Sequence, residues 1–101
     1  MGMSYTYQGP RELLKLEPPE DLTLIRKKED VLVWMQNRTD AIATFILNLE
    51  GQLWIATRNA EHVACARGKN VLSAGEIVFA RMSSTAWIES VTNQSTYRLL
   101  P

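Results

Sequence analysis

The chain has 101 residues, 46% of them apolar, with eleven basic and eleven acidic side chains that cancel. That mix fits one globular domain and argues against disorder, which needs fewer apolar residues and a large net charge. It also argues against a nucleic-acid partner, which calls for a basic excess to neutralise phosphates, and no run approaches the roughly 18–20 apolar residues of a membrane helix.

Taken in chain order, residues 1–9 read as an extended lead-in without the charged-then-apolar organisation of a leader peptide. Pro10 suits a first helical position, so Arg11 to Glu17 is predicted to form about two turns, ended by Pro18-Pro19. Leu22, Leu24 and Ile25 suit a short strand. Glu29 and Asp30 look like the acidic first turn of a helix over Val31–Gln36, against the competing β preference of Val31-Leu32-Val33-Trp34.

The next stretch is clearer. Ala41 to Leu49 places Ala41, Ala43, Phe45, Leu47 and Leu49 on one face and Ile42 and Ile46 on the other, the pattern of a strand buried on both faces. Glu50-Gly51 then turns into Leu53–Thr57, which predicts a hairpin. Asn59 to Cys65 reads as a loop or one helical turn, and Gly68-Lys69-Asn70 as a turn. Gly75–Met82 and Ala86–Asn93 read as a second hairpin around Ser83-Ser84-Thr85. The predicted fold is α+β. It is mainly an antiparallel β-sheet, two hairpins in a curved or partly closed meander of three to five strands, with one or two short N-terminal helices. We read a single domain over 1–101, with 1–19 the lead-in and short helix and 20–101 the core.

Few side chains carry chemistry. His62 is the only histidine, and Cys65, the only cysteine, follows it by three positions. The pair could act as base and nucleophile, but Val63, Ala64 and Ala66 around Cys65 favour an inert, buried thiol. One cysteine permits no internal disulfide, which suits a cytoplasmic protein. One histidine and one cysteine fall short of the about four ligands of structural zinc, and no phosphate loop is present, so neither a metal nor a cofactor is expected. Glu76 could serve as a general acid or base, or be an exposed strand residue. Asn93-Gln94-Ser95-Thr96 could read a polar ligand by donor and acceptor geometry, or simply cap a strand. Trp34, Trp54 and Trp87 read as core or interface anchors.

Three separated blocks come in a familiar order. They are Glu61-His62-Val63-Ala64-Cys65-Ala66-Arg67-Gly68, Val71-Leu72-Ser73-Ala74-Gly75-Glu76-Ile77 and Val91-Thr92-Asn93-Gln94-Ser95-Thr96. Over about residues 40–97 the chain resembles a family of small uncharacterised bacterial proteins carrying Glu-His-Val-Ala-Cys-Ala, Ala-Gly-Glu-Ile and Asn-Gln-Ser-Thr-Gly-Tyr blocks. More distantly it is similar to the His-Ser-Ser-Phe, Ala-Ala-Gly, Ser-Gly-His-Tyr pattern of plant IQ-motif calmodulin-binding proteins. The resemblance implies roles for His62, Gly75, Glu76, Asn93, Ser95, Thr96 and Tyr97, though not a reaction. The family's glycine before the tyrosine and proline soon after it are missing around Tyr97.

The resulting expectation is a non-enzymatic binding module for a small polar ligand or a partner protein, its site formed by His62, Glu76, Asn93, Ser95 and Thr96. One alternative is a small hydrolase or transferase with His62 as general base, assisted by Glu76 or Cys65. Another is a structural homo-oligomer. Zero net charge, three tryptophans and an exposed sheet edge favour a homodimer.

Overall fold

A computed structural model describes residues 5–7, 9–36, 38, 41–82, 85–93 and 97–99. Its elements are β1 (Tyr5–Tyr7), a 3-10 helix (Arg11–Lys15), β2 (Thr23–Ile25), α1 (Lys28–Met35), β3 (Ile42–Asn48), β4 (Leu53–Thr57), α2 (His62–Cys65), β5 (Val71–Met82), β6 (Thr85–Thr92) and β7 (Tyr97–Leu99). Every described strand pairing is antiparallel. Mainly antiparallel sheet with helices packed on it is an α+β architecture.

The seven described strands exceed the three to five expected. The sheet runs β2-β4-β3-β5-β1-β7, with β6 also paired to β5. Two strands were not anticipated. β1 lies inside the stretch read as a lead-in, yet Tyr5 pairs with Val71 of β5 and β1 also pairs with β7. Tyr5, Tyr7 and Leu13 pack on the core, so the boundary at residue 19 does not separate lead-in from core. Three-residue strands are too short to show periodicity and are specified by their partners. The helix expected over Arg11–Glu17 is a shorter 3-10 helix, and β5 begins at Val71 rather than Gly75.

Strand alternation divides the core. Ala43, Phe45, Ile55, Ile77 and Phe79 face one side and are covered by Val31, Trp34 and Met35 of α1. Ile46, Ala56, Val71 and Ala74 face the other and are covered by Val63, Cys65 and Ala66. Ile46 and Ile55 are nearly inaccessible to solvent, and each contributes about 2–3 kcal/mol of burial. The helical reading of Val31–Trp34 prevails over its β preference because Val31, Trp34 and Met35, spaced i, i+3, i+4, form one buried stripe.

Both ends of α1 are tied. The Asp30 carboxylate accepts the backbone N–H groups of Arg26 at 2.8 Å and Lys27 at 3.2 Å, before the first turn. Beyond the last turn, Arg38 Nε donates to the Trp34 carbonyl at 2.8 Å. The guanidinium lies 3.9 Å from the Trp34 ring centroid and pairs with Asp21. No helix among the described residues is long and apolar enough to cross a membrane.

Candidate functional site

The chain leaves β4 at Thr57 and enters α2 at His62. Thr44, a hydroxyl in an otherwise apolar strand, anchors this passage. It is buried, and its Oγ1 lies 3.1 Å from the Arg58 carbonyl oxygen and 3.3 Å from that of Ala60. The signal was present in the sequence as a lone polar residue inside the run Ala43–Leu47, because a buried hydroxyl must find a partner.

α2 presents His62 toward β5. Its Nε2 donates to the Gly75 carbonyl oxygen at 2.8 Å. A carbonyl only accepts, so Nε2 carries the proton of this bond. Gly75 itself is closely approached. A Cβ there would lie 1.8 Å from the Thr92 carbonyl oxygen and 2.8 Å from Asn93 Cα.

Glu76 is half-buried and pairs with Thr44 on β3 and Thr92 on β6. Asn93, exposed, is the next residue after Thr92 and is therefore one alternation step out of phase with Glu76. No hydrogen bond or ion pair joins the His62 and Glu76 side chains among the described residues. His62 is bound to the backbone beside Glu76 rather than to its carboxylate. The structure therefore brings His62, Gly75, Glu76 and Asn93 to one corner of the sheet. Ser95 and Thr96 lie outside the described residues, and the backbone of Tyr97 belongs to β7.

A cleft of ≈ 360 Å³ opens elsewhere, between the β3–β4 turn and the turn that follows α2. Leu22, Ile46, Trp54 and Cys65 form an apolar floor. Asn48, Glu50 and Gln52 make one rim, and Arg67, Lys69 and Asn70 the other. Asn48 stiffens its rim. Its Oδ1 accepts the N–H groups of Glu50 at 3.1 Å and Gln52 at 2.8 Å, while its Nδ2 donates to Gln52 Oε1 at 2.8 Å.

The opposite rim is strained. Gly68 N–H donates to the Val63 carbonyl at 2.9 Å and Arg67 N–H to that of Ala64 at 3.3 Å, the pattern that closes a helix with a left-handed residue. Here Arg67 occupies that left-handed position, at φ 56°, where glycine is usual. Such strain costs about 1–2 kcal/mol and gathers at sites where a side chain is needed. Sequence reasoning missed this cleft because its walls come from turns that are distant in the chain.

Cys65 lies in the floor but is 4% exposed, and burial, with a smaller push from the Asp21 charge, raises its thiol pKa to about 12. Among the described residues no three His, Cys, Asp or Glu side chains cluster to hold a metal ion. In comparisons with known proteins the chain matches no family model, no curated protein and no solved structure.

Proposed function

We propose that the protein is a non-enzymatic binding module and that its ligand occupies the cleft between the β3–β4 turn and the α2–β5 turn. The observation that carries this reading is the pairing of an apolar floor with a polar rim, the usual build of a small-molecule pocket. The volume is at the low end of the roughly 300–1,000 Å³ range for such pockets. The strained Arg67 at the mouth supports a ligand with an apolar body and an anionic head, whose charge would meet the guanidinium.

The chemical groups argue for binding rather than catalysis. His62 is not among the residues lining the cleft and spends Nε2 on the Gly75 carbonyl. Cys65, which does line it, holds its proton and so offers no nucleophile at neutral pH. Its thiol as the sole cysteine suits a reducing compartment, and the cytoplasm is the location we propose.

Titration of the native protein with phenylacetate, hexanoate and benzylamine tests the reading, with Trp54 fluorescence and thermal shift as readouts. The two carboxylates should bind and benzylamine should not. Arg67→Glu should remove carboxylate binding, while Arg67→Gly should weaken it and raise stability by roughly 0.5–1 kcal/mol through relief of the backbone strain. Absence of binding by either carboxylate, or binding unaffected by Arg67→Glu, overturns the assignment.

A further inference from the structure

We infer that the outer edge of β6, together with the flank of α1 beside it, is the interface of a twofold homodimer. The inference is independent of the ligand reading, since no β6 residue lines the cleft. Three described strands have an edge with no described partner strand: β2, β7 and β6. β2 and β7 have three residues each, short enough to be poor templates, whereas β6 has eight. β6 pairs only with β5 among the described residues, and seven of its eight residues are exposed.

Its side chains are not those of a solvated edge. Trp87 is 48% exposed, Ile88 53% and Val91 54%. Glu89 is the only charge in the strand, and neither lysine nor proline guards it. The register sets Ile88 opposite Phe79 and Val91 opposite Ile77, on the face that α1 covers. α1 reaches β6 and packs against Ala86, yet Ile88 and Val91 stay open. Among the described residues, the core under α1 thus runs out at β6 without lateral cover.

A second copy supplies that cover. Antiparallel pairing of two β6 strands about an axis normal to the sheet extends the sheet and keeps both α1 helices on one face, with Ile88 of each copy at the seam and Val91 three residues further along it. The edge is about 27 Å long at ~3.4 Å per residue. α1 adds a second layer of about 10 Å over roughly 12 Å of that length. About 400 Å² per copy results, or about 800 Å² in total, the size of a weak, reversible interface populated at high micromolar concentration. Zero net charge leaves no long-range repulsion between copies. Glu89 sits where the β5–β6 register shifts, between Ser90 and Ile88. A register centred on Ile88 sets Ile88 against its own copy and moves Glu89 away from Glu89 of the other copy, avoiding like charges face to face.

Sedimentation equilibrium at high micromolar concentration tests the surface. The wild-type chain should show twice the monomer mass, and Ile88→Glu and Val91→Glu, both at exposed positions, should each halve it while retaining a cooperative melt. Cysteine cross-linking tests the register. Ile88→Cys should form a disulfide-linked dimer under mild oxidation, and Thr92→Cys should not. A monomeric wild type overturns the inference, as does a dimer that survives both glutamate variants or cross-linking through Thr92→Cys instead of Ile88→Cys.

Discussion

His62 Nε2 stands 2.8 Å from the Gly75 carbonyl oxygen, so the single histidine of the chain ties α2 to β5 at the point where β6 leaves the sheet. The bond joins two of the three sequence blocks through the backbone rather than through two side chains. Replacing His62 with alanine removes one partly buried hydrogen bond and leaves the carbonyl unpaired. The expected loss is about 1 kcal/mol, a drop of about 4–8 °C in melting temperature for a domain of this size. Carboxylate binding in the cleft should be unchanged within a factor of about two, an equivalent of less than 0.5 kcal/mol. A large loss of affinity with little change in melting would instead place His62 at a ligand.

Gly75→Ala should be far more damaging than a glycine-to-alanine change in a strand normally is. The new methyl would meet the Thr92 carbonyl oxygen, a backbone atom that cannot swing aside. The cost should reach about 3 kcal/mol or more, the upper end for overpacking. Hydrogen exchange should localise the damage, with amides of β6 losing protection before those of β3 and β4.

Cys65 should label slowly in the native state. Burial pushes its thiol up to about 12, so at neutral pH almost no thiolate forms. A thiol reagent should react at a rate limited by opening of the structure, and denaturant should accelerate it by orders of magnitude. The same raised pKa sets a sign for stability. The contribution is fully present below the unfolded thiol pKa of about 8.5 and is lost as pH rises from there toward the folded value. Melts across the alkaline range should therefore fall for the wild type and fall less for Cys65→Ser.

Asp30 governs the acid limb. Hydrogen bonds from the Arg26 and Lys27 backbone, that of Arg26 foremost, and the charges of the two side chains hold its carboxyl below the ordinary value. A depressed carboxylate pKa contributes stability above the unfolded pKa and loses it as pH falls through the folded one. Asp30→Ala should lower the melting temperature at neutral pH, and the gap from wild type should close below about pH 4. A gap that stayed constant down to the lowest pH would show that Asp30 acts without its charge.

The sequence alone determined those features whose cause lies within a few residues. Alternation through Ala41–Leu49 and the turn at Glu50-Gly51 predicted the β3–β4 hairpin, because a two-residue period and a turn are local properties. Crowding of Val63, Ala64 and Ala66 around Cys65 predicted its burial for the same reason. Tertiary structure decided the rest. β1 and β7 exist because each finds a partner strand, which a three-residue window cannot reveal. β5 runs on either side of Gly75, where the sequence reading started the strand, and the backbone at the end of β6 needs the space a side chain there would fill. His62 and Gly75 are thirteen residues apart, and nothing local specifies that one will donate to the other. The cleft joins turns separated by β4, α2 and the loop between them, so its walls meet only when α2 and the turn after it have packed on the face of the hairpin that carries Ile46 and Trp54.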